Sequence, residues 1–505
     1  MKGKLYNLDR ETRENRLRKS SDRTRVIFAT AFLVVLASCQ NKATETVKPA
    51  ATAQSFSSAN LAQRTLERRA VEAVIWGTPA VNFDRMYQAM IHDAKAGEGS
   101  NKIVYWSSLF DWKNQTLTPN PDSIYLMAFF NTKDVGPVVL EIPPADGGSI
   151  TGSIDDCWQT AIEDVGPAGV DKGKGGKYLI LPPGYKDKPP AGYIPLQVYN
   201  YQGYGLLRSI LKSNSEADVA KAVAYGKQIK LYPLSQATRP PPTQFFDAID
   251  VVYDATIPWD MRFFESLNRI VQTEPWLTRD KAMIDQLKSI GIEKGKPFNA
   301  DAKTQNTLKA AVGEAHVWLA DKYENSYLPP AYYEGGHWHV PVSRDVIEGL
   351  TTFFADPDKY PVDDRAVAYT IAFFSPKHRG GGSFYLMTFN DKDDHNLDGG
   401  STYRLNVPAN SPVSQYWSAT VYDRDTHALI RNMPWPSRSS QTPGLQRNDD
   451  GAVDIYFGPK APAGKESNWV PTSPGGKFEV LFRFYGPEKP LFDKTWKLPD
   501  IEKIN

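Results

Sequence analysis

Between residues 103 and 210 the chain changes from apolar to polar on the short period of strands. YLMAFF (125–130), PVVLEIP (137–143), SITGSI (149–154), KYLILPP (177–183) and YIPLQVYNY (193–201) are β-branched or aromatic runs divided by Pro and Gly turns. Upstream, Leu61, Leu66, Ala70, Val74 and Ile75 recur at helical steps and predict a helix ending near Trp76-Gly77. Downstream the helical period returns three times. Ser215 with Asp218 caps a run whose Val219, Ala222, Gly226 and Ile229 share one face. Asp260 caps a helix with Phe264, Leu267 and Val271 inward, and Leu308, Val312, Ala315 and Leu319 form the third stripe. After residue 330 strands resume in GSFYLMTF (382–389), TYRLNVP (402–408), QYWSATVYD (415–423), AVDIYFGP (452–459) and KFEVLFRFYGP (477–487). The predicted fold is mixed and mainly β: two jelly-roll or β-sandwich domains, 61–210 with its leading helix and 331–505, flanking a helical segment at 211–330. No internal repeat is evident beyond this coarse symmetry.

The N-terminus has a different pattern. A Lys- and Arg-rich stretch to Arg25 precedes an apolar run, Val26 to Ala37, interrupted only by Thr30. At about 12 residues the run falls short of the roughly 20 that a membrane-spanning helix needs. It reads as the apolar region of a secretory signal. Its ending, Leu36-Ala37-Ser38-Cys39, resembles the bacterial lipobox, in which the thiol of the Cys takes a lipid and the residue becomes the new N-terminus. Residues 1–38 are therefore expected to be a lipoprotein signal peptide, with Cys39 lipidated and 39–60 a small, polar tether. Gln40 is not the Asp that retains bacterial lipoproteins at the inner membrane. The expected location is thus the outer membrane, facing the periplasm or the cell surface.

Composition changes the picture in two places. Fifty-nine Lys and Arg against 58 Asp and Glu leave a formal charge of +1, with no electrostatic case for nucleic acid. The chain has 2 Cys. Lipidation of Cys39 leaves Cys157 unpaired, and its setting in SIDDCWQTAI reads as a buried, inert position.

LTPNPDSIYLMAFFNT (117–132) resembles the signature stretch of the bacterial family called domain of unknown function 1254, and GIEKGKPF (291–298) resembles its helical region. NDKDDHNLDGGSTYRLNVPA (390–409), QYWSATVYDRDTHALIRN (415–432) and SNWVPTSPGGKFEVLFRFYGP (467–487) are similar to its usual companion, domain of unknown function 1214. The resemblance implies two jelly rolls around helices, in an oligomer, and names no activity.

Candidate chemistry follows from residue types. In TPNPDSIY, Asn120 and Asp122 either form a strand-entry turn or, with Tyr125, bind a ligand at the sandwich mouth, Asp122 acting as acid or base. Asp156 and Glu334 are further candidates for the carboxylate pair that glycoside hydrolysis requires. Trp158 and Trp338 are candidate sugar-stacking rings, against the plainer expectation that large aromatics fill cores. In GGHWHVP, His337 and His339 share a strand face, a spacing used by divalent metals. A third ligand would have to come from His378, His395, His427 or Glu334, and the alternative is one hydrogen-bonded and one surface imidazole. DKDDHNLDGG (391–400) departs from the calcium-loop pattern and reads as a hairpin turn. Three functions stay open: an envelope enzyme acting on a glycan or other small polar substrate, a non-catalytic lipoprotein binding such a ligand, and a self-associating structural protein.

Overall fold

In the computed structural model, which describes residues 57–328, 330–373, 375–378 and 382–504, the alternating stretches are strands and the longer-period stretches helices. The expected signal peptide, residues 1–38, and Cys39 lie outside the described residues. Among the described residues no helix is long and apolar enough to cross a membrane.

The first β-rich region supplies β1 (Lys102–Tyr105), β2 (Asn114–Gln115), β3 (Ile124–Asn131), β4 (Val138–Ile142), β5 (Ile150–Asp156) and β6 (Ala161–Val165). It continues through β7 (Gly176–Leu181), β8 (Ile194–Gln197), β9 (Gln202–Ser209), β10 (Lys230–Pro233), β11 (Gln244–Asp247) and β12 (Tyr253–Asp254). A six-stranded sheet, β11-β1-β3-β9-β5-β6, packs on a four-stranded one, β10-β4-β7-β8. Because side chains alternate along a strand, Ile124, Leu126 and Ala128 of β3 enter the core between the sheets, while Tyr125, Met127 and Phe129 face the other way.

The second sandwich is built from β13 (Ser383–Thr388), β14 (Tyr403–Val407), β15 (Val413–Asp423), β16 (Ser437–Ser439), β17 (Val453–Gly458), β18 (Trp469–Pro471), β19 (Phe478–Pro487) and β20 (Glu502–Lys503). Its sheets are β13-β19-β15-β16 and β18-β17-β14-β20. Leu386, Val480, Phe482 and Phe484 share its core with Leu405 and Ile455.

The two sandwiches have one topology. The segment β3-β9-β5-β6 of the first matches β13-β19-β15-β16 of the second, and β10-β4-β7-β8 matches β20-β14-β17-β18, strand for strand in chain order. Even the parallel pair of the smaller sheet recurs, as β7 with β8 and as β17 with β18. The repeat is invisible in the sequence because a sandwich specifies only which positions are apolar, not which apolar residue stands there.

Helices bridge the outer faces of the two main sheets. Residues of Ser58–His92, Met261–Thr273, Ala302–Lys322 and Val362–Ile371 share a core with Met127 and Leu206 on one side and Met387 and Leu481 on the other. Asp260 and Ser215 cap their helices as expected, accepting from the backbone N–H groups of Arg262 and Asp218. The first helix does not stop near Trp76-Gly77 but continues through Pro79 to His92. Every residue from Ala73 to Asp84 is buried, and this packing outweighs the hydrogen bond that Pro79 cannot make. The 391–400 stretch is a turn, with Asp391 Oδ1 accepting from the N–H groups of Asp393 and His395 at 2.9 and 3.0 Å. It joins β13 to β14, which lie in different sheets, so it crosses the sandwich rather than closing a hairpin. Cys157 is fully buried, and burial pushes its thiol well above the ordinary range, which makes it inert.

Candidate functional site between the sandwiches

The outward positions of β3, β9 and β5 meet those of β13 and β19 across a cavity of about 510 Å3. Each sheet contributes the same row. In the first, Tyr125 pairs with Arg208, and Arg208 with Thr151. In the second, Tyr385 pairs with Arg483, and Arg483 with Ser418. These residues occupy matching strands of the two repeats. Arg208 lies over the Tyr125 ring at 5.1 Å and Arg483 over the Tyr385 ring at 5.4 Å. Both guanidinium groups are almost fully buried.

The rest of the wall is mostly apolar. Val340, Val342, Ile347 and Leu350 line one part, with Phe373 and Phe384 also in the lining. Asp164 reaches the cavity too, but its Oδ1 accepts from Ser153 and from the Lys377 N–H at 2.8 and 2.9 Å, and its Oδ2 from the His378 N–H at 2.7 Å. The electrostatics are set by the two cations. Burial raises the Tyr385 phenol, yet Arg208 and Arg483 outweigh it and leave the group below the usual tyrosine range. Its neighbour Tyr485 moves the other way, pushed up by burial and then by Tyr385. Arg208 and Arg483 are both held more firmly protonated, because the surrounding phenols offset the cost of burial.

The 117–125 stretch proves to be the joint between the two repeats. The Thr118 C=O accepts from Arg483 Nη2 at 2.8 Å, and the Pro119 C=O from the Tyr422 hydroxyl at 2.7 Å. The Asn120 amide nitrogen faces Tyr485, Tyr416 and Ser123 hydroxyl oxygens at 2.8, 3.0 and 3.0 Å. Asp122 Oδ2 accepts from the Ser437 hydroxyl at 2.9 Å, and burial raises its carboxyl. The strand-entry turn is present, with Asn120 Oδ1 accepting from the Asp122 N–H at 3.1 Å just before β3, and the same turn plugs the first sandwich into the second.

The other candidates scatter. Tyr125 lines the cavity, whereas Asp122, Asp156 and Glu334 do not. Asp156 is buried and caps its own turn, with Oδ1 accepting from the Trp158 and Thr160 N–H groups at 2.9 and 2.8 Å. Glu334 is exposed. Trp158 packs on Trp76 at 4.6 Å, and Trp338 is wholly buried with its indole N–H donating to the Pro499 C=O at 2.9 Å. Both therefore fill cores and offer no open ring face to a sugar. His337 turns to Asp500, its Nδ1 3.0 Å from Oδ2, while the His339 backbone bridges Met387 at 2.8 Å. Among the described residues no three His, Cys, Asp or Glu side chains are grouped to hold a metal.

Arg208, Arg483 and Tyr385 were not singled out from the sequence. The signal available was an Arg set within an apolar strand, in GYGLLRS and again in EVLFRFYG. An outward strand position reads as solvent-facing until a second sheet is placed opposite it.

The comparisons agree with this division. Residues 100–233 match the family described as protein of unknown function DUF1254, and residues 382–489 match protein of unknown function DUF1214. The first stretch holds Tyr125, Thr151 and Arg208, the second Tyr385, Ser418 and Arg483. No curated protein matches the chain. The crystal structure of the VPA0106 protein from Vibrio parahaemolyticus is similar over 87% of this chain and 100% of its own, at 19% identity and a TM-score of 0.52. An uncharacterised protein from Burkholderia cenocepacia aligns over 88% of this chain and 96% of its own, with 13% identity and a TM-score of 0.41. The chain thus matches DUF1254 at residues 100–233 and DUF1214 at residues 382–489, in that order.

Proposed function

We propose that this protein is an exported envelope lipoprotein that binds a small acid with an apolar body between its two sandwiches. The observation that carries the reading is the pair of buried arginines on matching strands, facing one cavity. Guanidinium groups are well suited to carboxylates, which they meet with two parallel hydrogen bonds. The apolar wall suits a hydrocarbon tail or aromatic ring, and the volume falls in the roughly 300–1,000 Å3 range of small-molecule sites. A glycan fits this lining poorly, having many hydroxyls to satisfy. A glycosidase would need two carboxylates within reach of one substrate. Asp122, Asp156 and Glu334 supply no such pair to this cavity.

The test is thermal stabilisation of the full chain in detergent by octanoate and benzoate, against their methyl esters and against glucose. Acids should raise the melting temperature while esters and sugar leave it unchanged. Stabilisation by glucose alone, or equal shifts from acid and ester, would reject the reading. Export has its own measurement: labelled palmitate should enter the wild-type chain in a bacterial host and be absent from Cys39→Ser. Equal labelling of both would remove the anchor from the proposal.

A further inference from the structure

A second cleft, of about 590 Å3, is lined by the helical segment and the second sandwich. Beneath it lies Glu479 of β19, wholly buried. Its Oε1 is 2.8 Å from His427 Nδ1, and its Oε2 accepts from the Tyr323 hydroxyl at 3.1 Å. Arg424 Nη1 stands 3.5 Å from the same Oε2, and Arg424 Nη2 pairs with Glu324 at 2.9 Å. Tyr323 opens a π turn at the end of the Ala302–Lys322 helix, and its ring meets the imidazole edge-on at 5.3 Å.

The backbone of His427 is fixed as firmly as its ring. Its φ of 56° lies in the left-handed region, which non-glycine residues seldom occupy. The turn is tied by Asp423, whose Oδ1 accepts from the N–H groups of Asp425 and Thr426 and from the Thr426 hydroxyl. The His427 N–H donates to the Asp423 C=O at 2.8 Å, and its own C=O accepts from Thr118 at 2.7 Å. With Nδ1 on Glu479, the other ring nitrogen, Nε2, has no hydrogen-bond partner among the described residues, and the imidazole lines the cleft. A strained backbone that aims one imidazole, oriented by a buried carboxylate, is the arrangement general-base catalysis uses.

The cleft also indicates what the base would act on. Trp259 and His316 stack at 4.2 Å to form an aromatic wall, with the exposed Val317 also in the lining. Arg424 and Lys477 are set against Asp321, Glu324 and Asp425, which favours an uncharged substrate. The lining holds no Ser or Cys among the described residues, and the hydroxyls of Thr256, Thr370 and Thr426 donate to Asp254, the Val367 C=O and Asp423, so the attacking oxygen would be that of water.

We propose that this cleft hydrolyses an uncharged carboxylic ester. His427 Nε2 takes a proton from water as the water oxygen bonds to the ester carbonyl carbon. The tetrahedral oxyanion then collapses, breaking the bond to the alkoxide, and the alkoxide recovers the proton from the imidazolium. Ester and water become acid and alcohol, and one base serves both halves. Glu479 is a positioning residue that holds the ring and steadies its charged form.

The experiment is hydrolysis of p-nitrophenyl butyrate by the full chain in detergent, followed from pH 5 to 9. Saturable turnover above that of free imidazole at equal concentration is expected. His427→Gln should lower kcat at least 100-fold with KM little changed. His427→Gly suits the left-handed backbone and should be partly rescued by added imidazole. Glu479→Gln should lower kcat with KM little changed, since the ring loses the carboxylate that orients it. Arg424, Lys477, His316, Asp321, Glu324, Asp425 and Tyr323 also face the cleft and stay the same in that comparison. Turnover no faster than imidazole, or a folded His427→Gly protein as fast as wild type, would overturn the proposal.

Discussion

Arg483→Met is expected to destabilise the protein by about 1–3 kcal/mol and to weaken binding of an apolar acid at least 100-fold. The guanidinium is 2% exposed and donates to three acceptors: the Thr420 hydroxyl at 3.0 Å, the Thr118 C=O at 2.8 Å and the Tyr422 hydroxyl at 2.7 Å. One of these belongs to the joint between the sandwiches, so methionine removes a charge-assisted contact across it and leaves the half-buried Thr118 carbonyl without this donor. Arg208→Met serves as the comparison. It removes the matching cation from the other repeat, and the expected result is a similar loss of acid affinity with a smaller loss of stability. Denaturant unfolding and calorimetric titration with octanoate separate the two quantities. Acid binding that survives both substitutions would refute a cavity built on paired arginines.

The second large effect is on pH dependence, through Glu274. Its carboxylate ends the Met261–Thr273 helix and accepts from the N–H groups of Tyr201 and Gln202 at 2.6 and 3.0 Å, pinning the entry to β9. Burial raises its pKa from 4.5 to about 7, more than the two hydrogen bonds lower it. A raised folded-state value means that folding favours the protonated form. The contribution is complete below pH 4.5 and is lost as pH rises toward 7, by roughly 3 kcal/mol at neutrality. Glu274→Gln lacks this titration and turns an amide N–H2 toward one of two donors. It should therefore be the less stable protein at pH 4.5, with the deficit closing by roughly 3 kcal/mol by pH 7. Asp122, Asp155 and Asp156 are also raised by burial, so the wild-type-minus-variant difference is the quantity to follow. A difference that stays constant across this range would show that folding does not raise the Glu274 pKa.

The structure changes what several sequence features mean. Asn120 and Asp122 looked like a turn or a ligand group, and both are occupied in joining the two repeats. The Asn120 amide has only two N–H groups for three hydroxyl oxygens, two of them from strands nearly 300 or more positions away, at Tyr416 and Tyr485. No local pattern announces such partners. His427 entered only as a remote third metal ligand, because Glu479, on which its role depends, lies 52 positions away.

By itself the sequence determined the order of β-rich, helical and β-rich regions, the helix caps at Ser215 and Asp260, and the inert burial of Cys157. These are local matters: a cap needs one side chain near one helix end, and alternation alone sorts a strand's residues onto two faces. Tertiary structure decided that the outer faces of β9 and β19 meet, that Arg208 and Arg483 share one cavity, and that the sandwiches repeat one topology. Period-two alternation says which residues share a face but carries no information about what that face will meet. Only packing turned two outward arginines from solvent-facing charges into the buried centre of a site.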